Sequence, residues 1–171
     1  MGLISNGTTL LDAGALDSGV AKGALTHIKT LTASSSANLS FVHGSASVVL
    51  DGTYKEYIFK YYDIHASENA MFCVNFRDGG TDYDAVKTTT MFEGYNNEAG
   101  TSTSLAYVTD YDLAQGTGIQ RIGFAGWSEN DESCAGYMHL FDPANTTFIK
   151  HFMCRVHGYH GSNIAINSFV S

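Results

Sequence analysis

The chain has 171 residues, enough for one domain that buries roughly 70% of its unfolded surface without help from a disulfide or a metal. Nine Lys and Arg against 17 Asp and Glu give a net charge of −8, which argues against the basic face of a nucleic-acid binder and against an anionic membrane surface as partner. Charged residues make up 15% of the chain against roughly 25% in an average soluble domain, so the surface rests on Ser, Thr, Asn, Gly and Tyr, as suits a crowded assembly or an extracellular face.

Residues 1–24 form a Gly-rich stretch in which Gly7, Gly14, Gly19 and Gly23 recur. Each costs about 1 kcal/mol against Ala in a helix, so the stretch reads as an arm, or a short strand with turns. Its leucines, Leu3, Leu10, Leu11 and Leu16, need a partner surface. The start lacks the basic segment and apolar core of a secretion signal. It also misses the myristoylation pattern, since Asn6 stands where Ser or Thr is required. No apolar run is long enough to span a membrane as a helix.

From residue 25 to 171 the pattern is that of strands between turns. Residues 25–32, 39–42 and 46–50 are strand candidates, and Asp51-Gly52 is a hairpin signal. Residues 54–64 make the longest strand. Tyr57, Phe59 and Tyr61 face one way, and Ile58, Tyr62 and Ile64 the other. Two apolar faces place this strand in the middle of a sandwich or at a subunit contact. Residues 70–76, 88–95, 119–125, 136–142, 147–156 and 163–170 follow as further strands. Residues 96–104 read as a polar loop. Residues 104–115 are the one helical candidate, with Leu105, Val108 and Leu113 on a shared face and Asp110 and Asp112 against it. Pro143 is the sole proline, which excludes Pro-rich linkers. The sum is an all-β, antiparallel β-sandwich of jelly-roll type at 25–171, with the Gly-rich N-terminal arm at 1–24.

Cys73, Cys134 and Cys154 lie in apolar, strand-like stretches without Cys-x-x-Cys spacing, so they read as buried thiols of a protein made in a reducing cytoplasm. His157 and His160 sit in a Gly-marked turn with no third ligand nearby, and His139 and His151 read as half-buried strand histidines, so no metal and no cofactor is expected. The segment 78–84 alternates carboxylates with glycine but puts Gly80 and Thr89 where a calcium loop needs oxygen ligands, and reads as a capped connection. The acidic loop Glu129-Asn130-Asp131-Glu132 reads as a solvated tip. No nucleophile elbow, P-loop or dinucleotide fingerprint occurs. The carboxylates available for glycoside hydrolysis carry no information without their separation. No enzyme is therefore expected. Most Phe are expected in the core. Trp127, in Gly126-Trp127-Ser128-Glu129, either plugs the end of the sandwich or stacks on a sugar ring. Tyr83, Tyr107, Tyr111 and Tyr159 stand in similar positions. Trp127, Glu129, Asp131 and Tyr159 are the candidate ligand or partner contacts.

Several stretches carry a resemblance. Leu3-Ile4-Ser5-Asn6-Gly7-Thr8-Thr9 with Asp12-Ala13-Gly14 is one, and His27-Ile28-Lys29-Thr30-Leu31-Thr32-Ala33-Ser34-Ser35-Ser36 with Leu39-Ser40-Phe41-Val42 is another. Val48-Val49-Leu50-Asp51, Tyr54-Lys55-Glu56-Tyr57 and Ile64-His65-Ala66-Ser67 belong with them. So do Leu140-Phe141-Asp142-Pro143 and Thr146-Thr147-Phe148-Ile149-Lys150-His151-Phe152. Over nearly its whole length the chain resembles small virion proteins of tailed bacteriophages of marine bacteria. The resemblance implies a non-enzymatic virion subunit of the fibre, spike or decoration type, made in the host bacterial cytoplasm and carrying no catalytic residues. It implies other virion proteins as partners and a homo-oligomer, with a trimer favoured. Such proteins continue past the equivalent of Phe169 with a Gly-rich strand pair ending near a Leu-Tyr-Gly segment, whereas this sequence stops at Ser171. Either the sequence is clipped or this member is short, with a neighbouring subunit supplying the edge strand. The alternative function is a module that binds a carbohydrate or receptor on the host surface through Trp127 and the loop tyrosines. A glycan-degrading enzyme of the same fold is the third reading.

Overall fold

A computed structural model of the chain describes residues 2–12, 15–16, 25–126, 131–161 and 164–171. They fall into two compact units, Met1–Val49 and Leu50–Ser171. Among them no helix is long and apolar enough to cross a membrane.

In the first unit, β1 (Leu3–Ser5), β2 (Thr8–Asp12) and β3 (Ala15–Leu16) form an antiparallel sheet in that order. Asn6 and Gly7 join β1 to β2 with φ of 48° and 78°, the left-handed pair that a two-residue hairpin turn requires. Leu3 stands opposite Leu11 in the register. The strands expected within 25–50 are absent, which corrects the sequence reading. Ser45 N–H donates to the Val42 carbonyl and Val48 N–H to the Ser45 carbonyl. Ala46 and Ser47 take φ of 49° and 68°, and consecutive left-handed residues turn the chain out of any ladder. Strand propensity without a partner strand stabilises nothing.

The second unit is a sandwich-like pair of antiparallel sheets, in line with the all-β expectation. Its strands are β4 (Glu56–Ile64), β5 (Met71–Val74), β6 (Met91–Asn97), β7 (Thr103–Tyr107), β8 (Gln120–Phe124), β9 (Cys134–Phe141), β10 (His151–His160) and β11 (Ile164–Val170). Six form one sheet in the order β4-β9-β10-β11-β6-β7, and β5 pairs with β8 in the other. The core follows from the register. Phe59, Met138, Cys154, Val170 and Met91 occupy one continuous cross-strand rung. The next rung runs Tyr61, Gly136, Val156, Ser168 and Glu93. Strand β8 lies against β10 and β11, and its Ile122 joins the core.

Three further readings are corrected here. Of the two places expected for β4, the middle of the sandwich is not the one it takes, since it lies at the edge of the large sheet. Its register slips between Tyr61 and Ile64, where Asp63 takes φ of 48°, so Ile64 packs into the core opposite Cys134 while Tyr62 is 69% exposed. That bulge separates two residues that simple alternation puts on one face. The helical candidate at 104–115 is strand β7 followed by a single 3-10 turn, Thr109–Tyr111. Leu105 points into solvent at 79% exposure, so the supposed apolar helix face has nothing to cover. Finally, Cys73 is exposed although Cys134 and Cys154 are buried. Alternation along β5 turns Phe72 and Val74 toward the core and leaves Cys73 on the other side.

Candidate functional site

The large sheet has a second face, and it is not polar. One rung crosses all six strands: Lys60, Tyr137, Arg155, Phe169, Phe92 and Tyr107. All six are exposed. Strands lie about 4.8 Å apart, so the span from Tyr137 to Tyr107 is about 19 Å. Phe92 and Tyr107 meet edge to face with centroids 5.2 Å apart. The Arg155 guanidinium lies 5.1 Å from the Phe169 ring centroid, and its Nη2 donates to Asn167 Oδ1 at 3.5 Å. The row thus offers aromatic surface with two cations among the rings. At its β7 end the Tyr107 hydroxyl donates to the Asp112 carboxylate, which holds the phenol above its ordinary range.

Beside this row Gly94 leaves a gap on β6. The result is a shallow groove of about 360 Å³ lined by Gly94, Asn96, Arg155, Asn167 and Phe169 among others. A Cβ placed at Gly94 would stand 3.6 Å from Leu105 Cδ1, an ordinary contact. The glycine is therefore not required by packing, and its effect is to leave the floor open.

The opposite face of the same strands holds the groove in register. Glu93 Oε1 accepts from Arg121 Nη2 at 2.6 Å and from Ser168 Oγ at 2.9 Å. Arg121 is almost fully buried between the rings of Tyr111 and Phe124, at 4.1 and 3.9 Å from their centroids. Its Nε makes no hydrogen bond among the described residues. Glu93 lies between Phe92 and Gly94, and Ser168 between Asn167 and Phe169, so alternation puts this internal anchor directly behind the groove.

The sequence-derived candidates fare unevenly. Trp127 and Glu129 lie outside the described residues, as do residues 13–14 and 17–24 of the Gly-rich arm. Tyr159 is on β10, where its hydroxyl donates to Glu98. That bond, with burial and the charges of Glu98, Asp131 and Glu132, pushes the phenol up to about 12. Asp131 and Tyr159 are thus brought together at one end of the large sheet, in acidic company. Of the other tyrosines, Tyr83 is exposed with Arg77 5.6 Å from its ring. Tyr111 packs against the core instead of the surface. His139 pairs with Glu56 and stands opposite Met153, while His151 stands opposite Phe141, so the two histidines do not face each other. No cluster of three metal-ligating side chains occurs among the described residues. In the 78–84 connection the Lys87 ammonium donates to Asn75 and to the Ala85 carbonyl, and Asn75 donates to the Tyr83 carbonyl, so side chains brace the loop from within.

The outward rung was missed by sequence reasoning, which assigned most Phe to the core; Phe92 and Phe169 are exposed instead. The one available signal was the alternation of apolar residues on both faces of 88–95 and 163–170. Comparison with protein-family models, curated proteins and solved structures finds no match for this chain.

Proposed function

We propose that this chain is a non-enzymatic structural subunit of a tailed-phage virion, of the fibre, spike or decoration type, made in the host bacterial cytoplasm. It docks through its N-terminal unit to sister chains and other virion proteins, with a trimer as the favoured assembly. One observation carries the docking role: Leu3 and Ile4 are 57% and 62% exposed on a unit that has its own sheet, and Leu3 pairs across strands with the exposed Leu11. Exposed apolar cross-strand pairs of this kind mark contact surfaces. The low charge of the chain and its resemblance to marine phage virion proteins support the same reading. The test is incorporation into particles. Removing residues 1–24, and separately replacing Leu3 and Leu11 by Ser, abolishes incorporation. Normal incorporation of both variants overturns the docking role. Light scattering on the 18.4 kDa chain checks the trimer, and a clean monomer in isolation and on the particle rejects it.

The exposed rung favours a second reading, a module that binds carbohydrate on the host surface. Exposed aromatic rings beside polar side chains suit sugars, which are apolar on one face and hydroxylated at the edge. Replacing Tyr137, Phe92 and Phe169 by Ser removes glycan binding on this reading. Binding unchanged in that variant rejects the face.

A further inference from the structure

Resting on the second reading, we propose that the groove over Gly94 binds an acidic sugar, a pyranose bearing a carboxylate, within a linear polysaccharide laid along the aromatic row. The first observation is charge. In a chain of net charge −8, Arg155 is exposed and has no carboxylate within ion-pairing distance among the described residues. The rung itself contains Lys60 and Arg155 and no acid. The carboxylate of Glu56, also on this face, is already paired with His139. The acids at the ends, Asp112 beside Tyr107 and Glu98 beside Tyr159, accept from phenols. An anion is therefore attracted to the β10–β11 part of the face and repelled from both ends.

The second observation is shape. Gly94 opens the floor, Asn167 and Asn96 border it, and Phe169 with the Arg155 guanidinium over its ring closes one side. Arg155 is held over Phe169 and against Asn167. A guanidinium fixed in this way presents its remaining N–H groups as a fork for a carboxylate. The asparagine amides match ring hydroxyls, and the aromatic row of about 19 Å accommodates further rings on either side. A second copy of this chain is the less fitting occupant, because an isologous contact centred on Arg155 would set the two Arg155 guanidinium groups against each other.

The test uses the full chain and two probes: a hexamer of galacturonic acid and the same hexamer as its methyl ester, which removes the charge and keeps the rings. The acid form is expected to bind about tenfold or more tightly than the ester, the difference made by charge-assisted hydrogen bonds. Arg155→Met removes that preference, Arg155→Lys restores part of it, and Gly94→Leu blocks both probes while circular dichroism and the melting curve stay those of the parent. If acid and ester bind equally, recognition of the carboxylate is overturned and the carbohydrate reading stands. If neither binds the folded parent, both fall. A mass in solution that falls to that of a smaller assembly with Arg155→Met assigns the face to self-contact and also overturns the proposal.

Discussion

A Cβ at Gly123 would stand 2.6 Å from Val156 Cγ1, closer than real side chains approach. The two sheets come together here because one strand has no side chain. On the neighbouring strand β9, a Cβ at Gly136 would meet the Arg155 carbonyl oxygen at 2.3 Å and Val156 Cα at 2.8 Å. Val156 is thus enclosed by two glycines from different sheets. Gly123→Ala is expected to cost about 1–3 kcal/mol by overpacking, read from the denaturation midpoint. Val156→Ala alone loses two methyl groups of burial, about 1.6 kcal/mol. The double variant loses clearly less than the sum, and strict additivity would show that the contact is not made. Gly136→Ala strikes backbone and is expected to yield no folded protein.

The anchor behind the groove gives the next expectation. Glu93→Ala leaves the Arg121 guanidinium buried without its carboxylate, which costs about 3–5 kcal/mol. Replacing both partners by apolar residues, Glu93→Leu with Arg121→Met, costs less than either single change, since no charge is then stranded. A double variant worse than both singles contradicts this account. By contrast, Lys55→Ala breaks the solvent-exposed pair with Asp142 and leaves the midpoint where it was.

The thiols separate by accessibility. Burial pushes Cys134 and Cys154 up to about 12, with the neighbouring Cys134 charge adding to the shift at Cys154. Burial also raises Cys73, and Arg121 pulls it back. A thiol reagent at pH 8 is expected to modify only Cys73 in the native chain, and all three cysteines after denaturation. The folded state holds the two buried thiol protons more tightly than the unfolded chain does. Their contribution to stability is full below the ordinary thiol range near pH 8.5 and is lost as pH rises toward 12. Rapid native reaction of two or more thiols contradicts the burial.

Alkaline titration tests the acidic end of the sheet. The Tyr159 phenol donates to Glu98, a bond that pushes it up to about 12. Its proton therefore stabilises the fold fully below the ordinary tyrosine range near 10 and ceases to do so as pH passes the raised value. Glu98→Gln removes the charge that an ionised phenol would oppose. One tyrosine is then expected to titrate at lower pH in the absorbance of the phenolate band. A titration curve identical to that of the parent would place Tyr159 elsewhere.

Hydrophobic alternation and turn residues are enough to specify an all-β protein and to locate most strands of the second unit. Alternation at 70–76 and 151–156, with turns at Asp51-Gly52 and 78–84, is a local property that the backbone must obey, whereas 147–150 precede the strand expected there, which runs from His151 to His160. Which strands have neighbours and which faces are covered follows from long-range packing. Residues 25–50 have strand-forming composition but no ladder to join. Residues 104–107 fold back on β6 across the short connection 98–102 as a hairpin, so their apolar residues follow a strand's period and not a helix's. The outward row from Lys60 to Tyr107 joins the hairpin β6-β7, the run β9-β10-β11 and the strand β4 in a spatial order that differs from the chain order. A period of two says that a strand has two faces, but only the packing of β5 and β8 over one of them leaves the other, with its aromatic rings and its open groove, facing solvent.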